Sequence, residues 1–93
     1  MAGDLPRALE AFRRAAQLDP RNPQAYANLG SAALQAQRND EAIAAFSKAA
    51  ELQPNDPKAL LALSVAYKAA GREQDAEETY GRALDLVRKQ QRK

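Results

Sequence analysis

Two phrases in this chain say nearly the same thing. DPRNPQAYANLG occupies residues 19–30, and QPNDPKALLALS occupies 53–64, 34 residues further on. A fixed period of this length is the mark of a repeat array, in which one supersecondary unit stacks on the next. It constrains the fold more than any single residue can, because a unit that cannot bury its own apolar face must use its neighbours. Aligning 23–56 with 57–90 sets Pro23 on Pro57, Ala25 on Ala59, Leu29 on Leu63, Ala42 on Ala76, Ala49 on Ala83 and Leu52 on Leu86. Phe46 falls on Tyr80, which keeps an aromatic at that place. The register also runs backwards: Ala8, Phe12, Ala15, Leu18 and Pro20 stand one period before Ala42, Phe46, Ala49, Leu52 and Pro54. The chain is thus read as one domain over 1–93. Residues 1–22 are the second half of a truncated unit, 23–56 and 57–90 are full units, and 88–93 are a basic tail.

Each full unit reads as two helices. In Asn22-Pro23 and Asp56-Pro57 a capping side chain precedes a proline at the first helical position. Tyr26, Leu29, Ala33 and Ala36 then recur at three and four residues, and Leu60, Leu63, Tyr67 and Ala70 repeat the stripe. Gly71 is a natural end for the first helix of the second unit, and Gln37 holds the same place in the first. The second helices carry Ala42, Ile43, Phe46, Ala49 and Ala50, then Ala76, Tyr80, Ala83 and Leu84. Pro20 and Pro54 close two of them. Asp4 is expected to cap the helix that opens the chain. Five helices are predicted, over 5–18, 23–36, 40–53, 57–70 and 74–91, in an all-α architecture.

Composition narrows the function. The chain has neither cysteine nor histidine. Disulfides and thiolate metal sites are therefore impossible, and the commonest general base and metal ligand are missing. Ser47 and Thr79 have no histidine to activate them. Asp40-Glu41 and Glu77-Glu78 are adjacent in sequence, so on a helix their side chains diverge. Acids near the starts of second helices are better read as partners of the helix dipole. No catalytic residue, metal or cofactor is expected. No apolar run reaches the ~20 residues that span a bilayer, and the first residues lack a signal-peptide pattern. A cytoplasmic location is the expectation. The pI of about 9.2 comes from the tail RKQQRK, whose four cations turn an otherwise negative chain to +2. Those cations suit a helix C-terminus, and no aromatics interleave with them, so no nucleic-acid partner is expected.

The pattern resembles the tetratricopeptide repeat. Tyr26, Leu29, Gly30, Ala42, Phe46, Ala49 and Pro54 fit that family's signature in one unit, and Leu60, Leu63, Tyr67, Ala76, Tyr80 and Ala83 fit it in the next. Ala33 and Arg88 depart from it, and Ser64 stands in for the glycine. The resemblance implies a right-handed α-solenoid of antiparallel helix pairs. Its small residues let two helices approach while the aromatic fills the wedge between them. It also implies a concave surface, lined by the first helix of each unit, that binds a protein or peptide. The groove residues by position are Gln24, Ala27, Asn28, Ser31 and Gln35, then Lys58, Leu61, Ala62, Val65 and Lys68. An asparagine at 28 can donate and accept at once, as a peptide bond demands. Lys58 stands where carboxylate-clamp members place a lysine, but the second cation of such a clamp would fall on Ala62. Leu61, Ala62 and Val65 form an apolar strip that either binds a partner or covers the neighbouring helix.

The ends suggest a second reading. Solenoids generally need polar caps. Leu5, Leu9 and Phe12 lack the partner helix of a complete first unit, and Tyr80, Leu84 and Val87 would meet the first helix of a following one. The chain is accordingly expected to be a piece of a longer array, and its uncapped ends are candidates for self-association into homo-oligomers.

Overall fold

The computed structural model of the chain describes residues 4–92. Residues 1–3 and Lys93, which the first unit and the basic tail include, lie outside the described residues. Five helices are found among those described: α1 (Leu5–Leu18), α2 (Pro23–Gln35), α3 (Asn39–Leu52), α4 (Pro57–Ala69) and α5 (Glu73–Gln91). Each agrees with its predicted span to within one residue.

The turns explain the precision. Asn22 and Asp56 have extended backbones, and each accepts a hydrogen bond from the backbone N–H two residues on, at Gln24 and Lys58, both 3.0 Å. Each thereby satisfies one of the donors that a helix start leaves free. The ends of α2 and α4 close alike. Arg38 N–H donates to the Ala33 carbonyl (2.8 Å) and Gln37 N–H to Leu34 (3.0 Å). One period on, Arg72 donates to Tyr67 (2.9 Å) and Gly71 to Lys68 (3.0 Å). This paired closure needs a left-handed residue, and Gln37 (φ 61°) and Gly71 (φ 79°) supply it. Asp4 does not cap α1 as expected. Its backbone has ψ near 1° rather than an extended value, and its side chain makes no capping bond.

Successive helices pack on one another, α1 on α2 through to α4 on α5, in a stack 43 Å long and 20 Å across its narrowest dimension. The core is built of small side chains. Ala33, Ala42, Ala66 and Ala83 are fully enclosed, with Leu29, Leu60, Leu63 and Phe46 between them. Phe46 is 3% exposed, and it lies against Gly30 so closely that a Cβ there would come within 2.7 Å of ring atom Cε1. The glycine is what lets the ring lie flat on α2. Tyr80 holds the same place in the next unit but is 49% exposed. The aromatic that the sequence keeps is therefore not kept in the packing. Ser64 stands in the place of Gly30, and among the described residues no further helix covers the ring.

Candidate functional site

A hollow of about 330 Å³ opens between the first helices of the two full units. Pro23, Gln24, Ala27 and Ser31 of α2 form one wall; Asp56, with Lys58, Ala59 and Ala62 of α4, forms the other. Phe46, Ala49 and Gln53 lie at its base. Helical spacing sets this up: Gln24, Ala27 and Ser31 recur at three and four residues, so they share one face.

Gln24 and Asn28 are linked. The Gln24 amide Nε2 donates to Asn28 Oδ1 at 3.0 Å, an i,i+4 pair on the surface of α2. That bond engages the acceptor half of Asn28 and leaves its Nδ2 donors free. Lys58 is exposed, and among the described residues no carboxylate lies within ion-pair reach of its ammonium. The arrangement can offer amide donors and one cation above a small apolar floor.

The structure divides the residues that the repeat arithmetic grouped together. Gln24, Ser31, Lys58 and Ala62 line the hollow, and Asn28 adjoins it through Gln24. Leu61 is half-buried against the core, so at that position the apolar strip covers its neighbours. Val65 and Lys68 line a different hollow of about 530 Å³ at the far end of the stack, together with Ser64, Glu73, Ala76, Glu77 and Tyr80. Gln53 and Asp56 were missing from the sequence-based groove. Asp56 was legible as a cap, and a cap at the start of α4 necessarily stands beside the groove that α4 lines. Gln53 lies just past the end of α3 and carries no signal of its own.

Of the end residues, Leu9 was placed wrongly. It is 4% exposed and belongs to the core with Ala16, seven residues on, because α1 turns that stripe toward the interior of the stack. Leu5 and Phe12 are half-buried, as are Leu84 and Val87. Leu18 is 83% exposed, the most exposed large apolar side chain among the described residues.

One further polar feature joins units. The Arg13 guanidinium on α1 grips the Glu41 carboxylate on α3 with two bonds, Nε to Oε2 at 2.6 Å and Nη2 to Oε1 at 2.9 Å. It also reaches Glu10 at 3.3 Å. These hydrogen bonds hold the Glu41 carboxyl below its ordinary range against the opposing effect of burial, and the charges of Arg13 and Arg38 add to the lowering. The guanidinium is correspondingly harder to deprotonate. Glu41 thus does more than complement a helix dipole.

Two models of the tetratricopeptide repeat family match the sequence, one over residues 2–57 and the other over 33–92. The chain belongs to that family, whose solenoids typically act as non-catalytic scaffolds for protein interaction. Solved structures of MamA are similar to it. MamA MSR-1 superposes with a TM-score of 0.87 at 28% identity, over 94% of this chain and 50% of that one. MamA AMB-1 gives a TM-score of 0.86 at 29% identity, over 94% and 52%, and in another crystal form 0.83 at 30%, over 89% and 49%. The chain therefore spans about half the length of the MamA structures it matches. No curated protein matches the sequence. Among the described residues no helix is long and apolar enough to cross a membrane.

Proposed function

We propose that the hollow between α2 and α4 holds an extended segment of a partner protein, and that the chain works by this binding without catalysing a reaction. The observation that supports this most is the Gln24–Asn28 amide pair, standing across the hollow from Lys58, whose ammonium makes no ion pair among the described residues although Asp56 shares its wall. Orientation by Gln24 presents the Asn28 donors to a carbonyl oxygen of the bound segment, and Lys58 favours a carboxylate nearby. With one cation in the lining and Ala62 one turn on, the groove suits a main chain with a single acidic group better than a doubly clamped terminal carboxylate. An array of extended peptides, each with and without an acidic residue, tests this. Asn28→Ala and Lys58→Ala are each expected to weaken the retained peptides at least about tenfold, the loss that goes with roughly 1.4 kcal/mol. A retained set that neither substitution changes would overturn the reading.

A second reading is association between copies through the ends, favoured by the exposure of Leu18 and Tyr80 at opposite ends of the stack. Light scattering at micromolar concentration decides it, and a monomeric mass would remove it.

A further inference from the structure

The surface of the first full unit that receives α4 recurs on the second, where no described helix covers it. On the first, the Asn39 amide donates to the carbonyl of Ala69 at 3.1 Å, so the last turn of α4 lies against the first residue of α3. The residue one period after Asn39 is Glu73, and that after Ile43 is Glu77. Ser64, Val65 and Lys68 make one wall of the hollow there, and Glu73, Glu77 and Tyr80 make the other. Val65 is 55% exposed and Tyr80 49%. The seat is shaped for a helix, apolar between its walls, and carboxylate-bearing where a helix end would rest.

A carboxylate changes what can rest there. The last carbonyls of a helix have no intrahelical donors and carry the negative end of its dipole. The Asn39 amide can donate to them; the Glu73 carboxylate can only repel them. A lysine or arginine in the last turn of the incoming helix reverses the sign. It would meet Glu73 and Glu77, which stand one turn apart and have no ion-pair partner among the described residues.

After α3 the chain breaks at Leu52, and Pro54 leads it back as α4. In α5 the residue equivalent to Pro54 is Arg88, and the helix continues to Gln91. Gln90 Nε2 fastens this extra length to the Asn55 carbonyl at 2.6 Å.

We propose that the face made by α4 and α5 seats an amphipathic helix from a partner protein, with basic residues in its last turn opposite Glu73 and Glu77. The proposal does not depend on the groove reading, since the two sites share no residue. The test uses two stapled synthetic helices with the sequence of residues 57–70, one carrying Lys68→Gln, so that its last turn has no cation, and one carrying Ala69→Lys and Ala70→Lys. Stapling matters because so short a helix is marginal alone. Binding to the whole chain is read from NMR shifts of the Val65 methyls and the Tyr80 ring. The basic helix is expected to bind at least tenfold more tightly than the Lys68→Gln one. That advantage should vanish at high salt and in the Glu73→Gln/Glu77→Gln chain, and persist in Asn28→Ala and Lys58→Ala chains. Equal binding of the two helices, or no binding by either, would overturn it. So would concentration-dependent shifts at Val65 and Tyr80 in the chain alone, which would show a second copy in the seat.

Discussion

The units 23–56 and 57–90 follow one plan and pack differently. In the first, a glycine, a buried phenylalanine and a covering helix make a closed joint. In the second, Ser64 and Tyr80 take the places of Gly30 and Phe46, no described helix covers them, and the joint stays open. The first full unit is also fastened backward to α1 by Arg13–Glu41, whereas Asp75, equivalent to Glu41, pairs with Arg72 near the start of its own helix. A repeat therefore copies the backbone faithfully while single substitutions decide whether a surface is core or interface. Small side chains make this easy.

The aromatic pair gives the strongest way to break this contrast. Phe46→Ala is expected to destabilise by about 3–5 kcal/mol, the usual cost of emptying a phenylalanine site in a core. That is a large part of the 5–15 kcal/mol that typically holds a domain together. Tyr80→Ala should cost less than about 1 kcal/mol, because a side chain half in water leaves little cavity behind. Gly30→Ser, which copies the second unit's residue into the first, forces the Phe46 ring to move and should cost about 1–3 kcal/mol. Urea titrations measure all three. Equal losses at Phe46 and Tyr80 would mean that the second joint is closed in solution.

How much of this was legible in advance follows from the range over which each residue acts. The caps Asn22 and Asp56 and the terminator Gly71 act on backbone within a few residues, and their chemistry announced the helix boundaries. The repeat register identified Phe46 as a wedge, and it is one. The same register placed Tyr80 at an uncovered end of the array, and it is 49% exposed there, with no described helix over it. Val65 and Lys68 sit at groove positions by arithmetic, yet they line a separate hollow, opposite Glu73, Glu77 and Tyr80 of α5. Arg13–Glu41 spans 28 residues and belongs to no repeat position, since the equivalents of Arg13 are Ser47 and Gly81. No pattern in the chain could have announced it.

Gln37 and Gly71 sharpen the comparison with a smaller effect. Both hold left-handed backbones in the same closing motif, at φ 61° and 79°. A side chain at such a position costs about 1–2 kcal/mol, partly offset because glycine also loosens the unfolded chain. Gln37→Gly should accordingly stabilise by about 0.5–1 kcal/mol, and Gly71→Gln should destabilise by a similar amount, on the same scales. At roughly 4–8 °C per kcal/mol for a domain of this size, thermal melts resolve both. Movement of both variants in the same direction would show that the two turns are not equivalent.

The smallest effect belongs to the clip between units, and pH exposes it. Arg13 holds the Glu41 carboxyl below its ordinary value of 4.5, chiefly through its hydrogen bonds. A group whose pKa is lower in the folded state than in the unfolded one contributes stability above the unfolded value. It loses that contribution as pH falls through the lower, folded one. The wild-type chain should thus lose stability on acidification in a window that begins near 4.5. Glu41→Gln, which keeps shape but cannot ionise, should show a flatter profile there and a slightly lower melting temperature at neutral pH. Arg13→Lys should fall between them, since an ammonium cannot make the two parallel bonds of the guanidinium. Because ion pairs near a surface are screened, added salt should shrink the neutral-pH difference while leaving the Phe46 and Gly30 losses nearly untouched. A Glu41→Gln profile that parallels wild type across the acid range would show that the truncated unit is held to the first full one by packing alone.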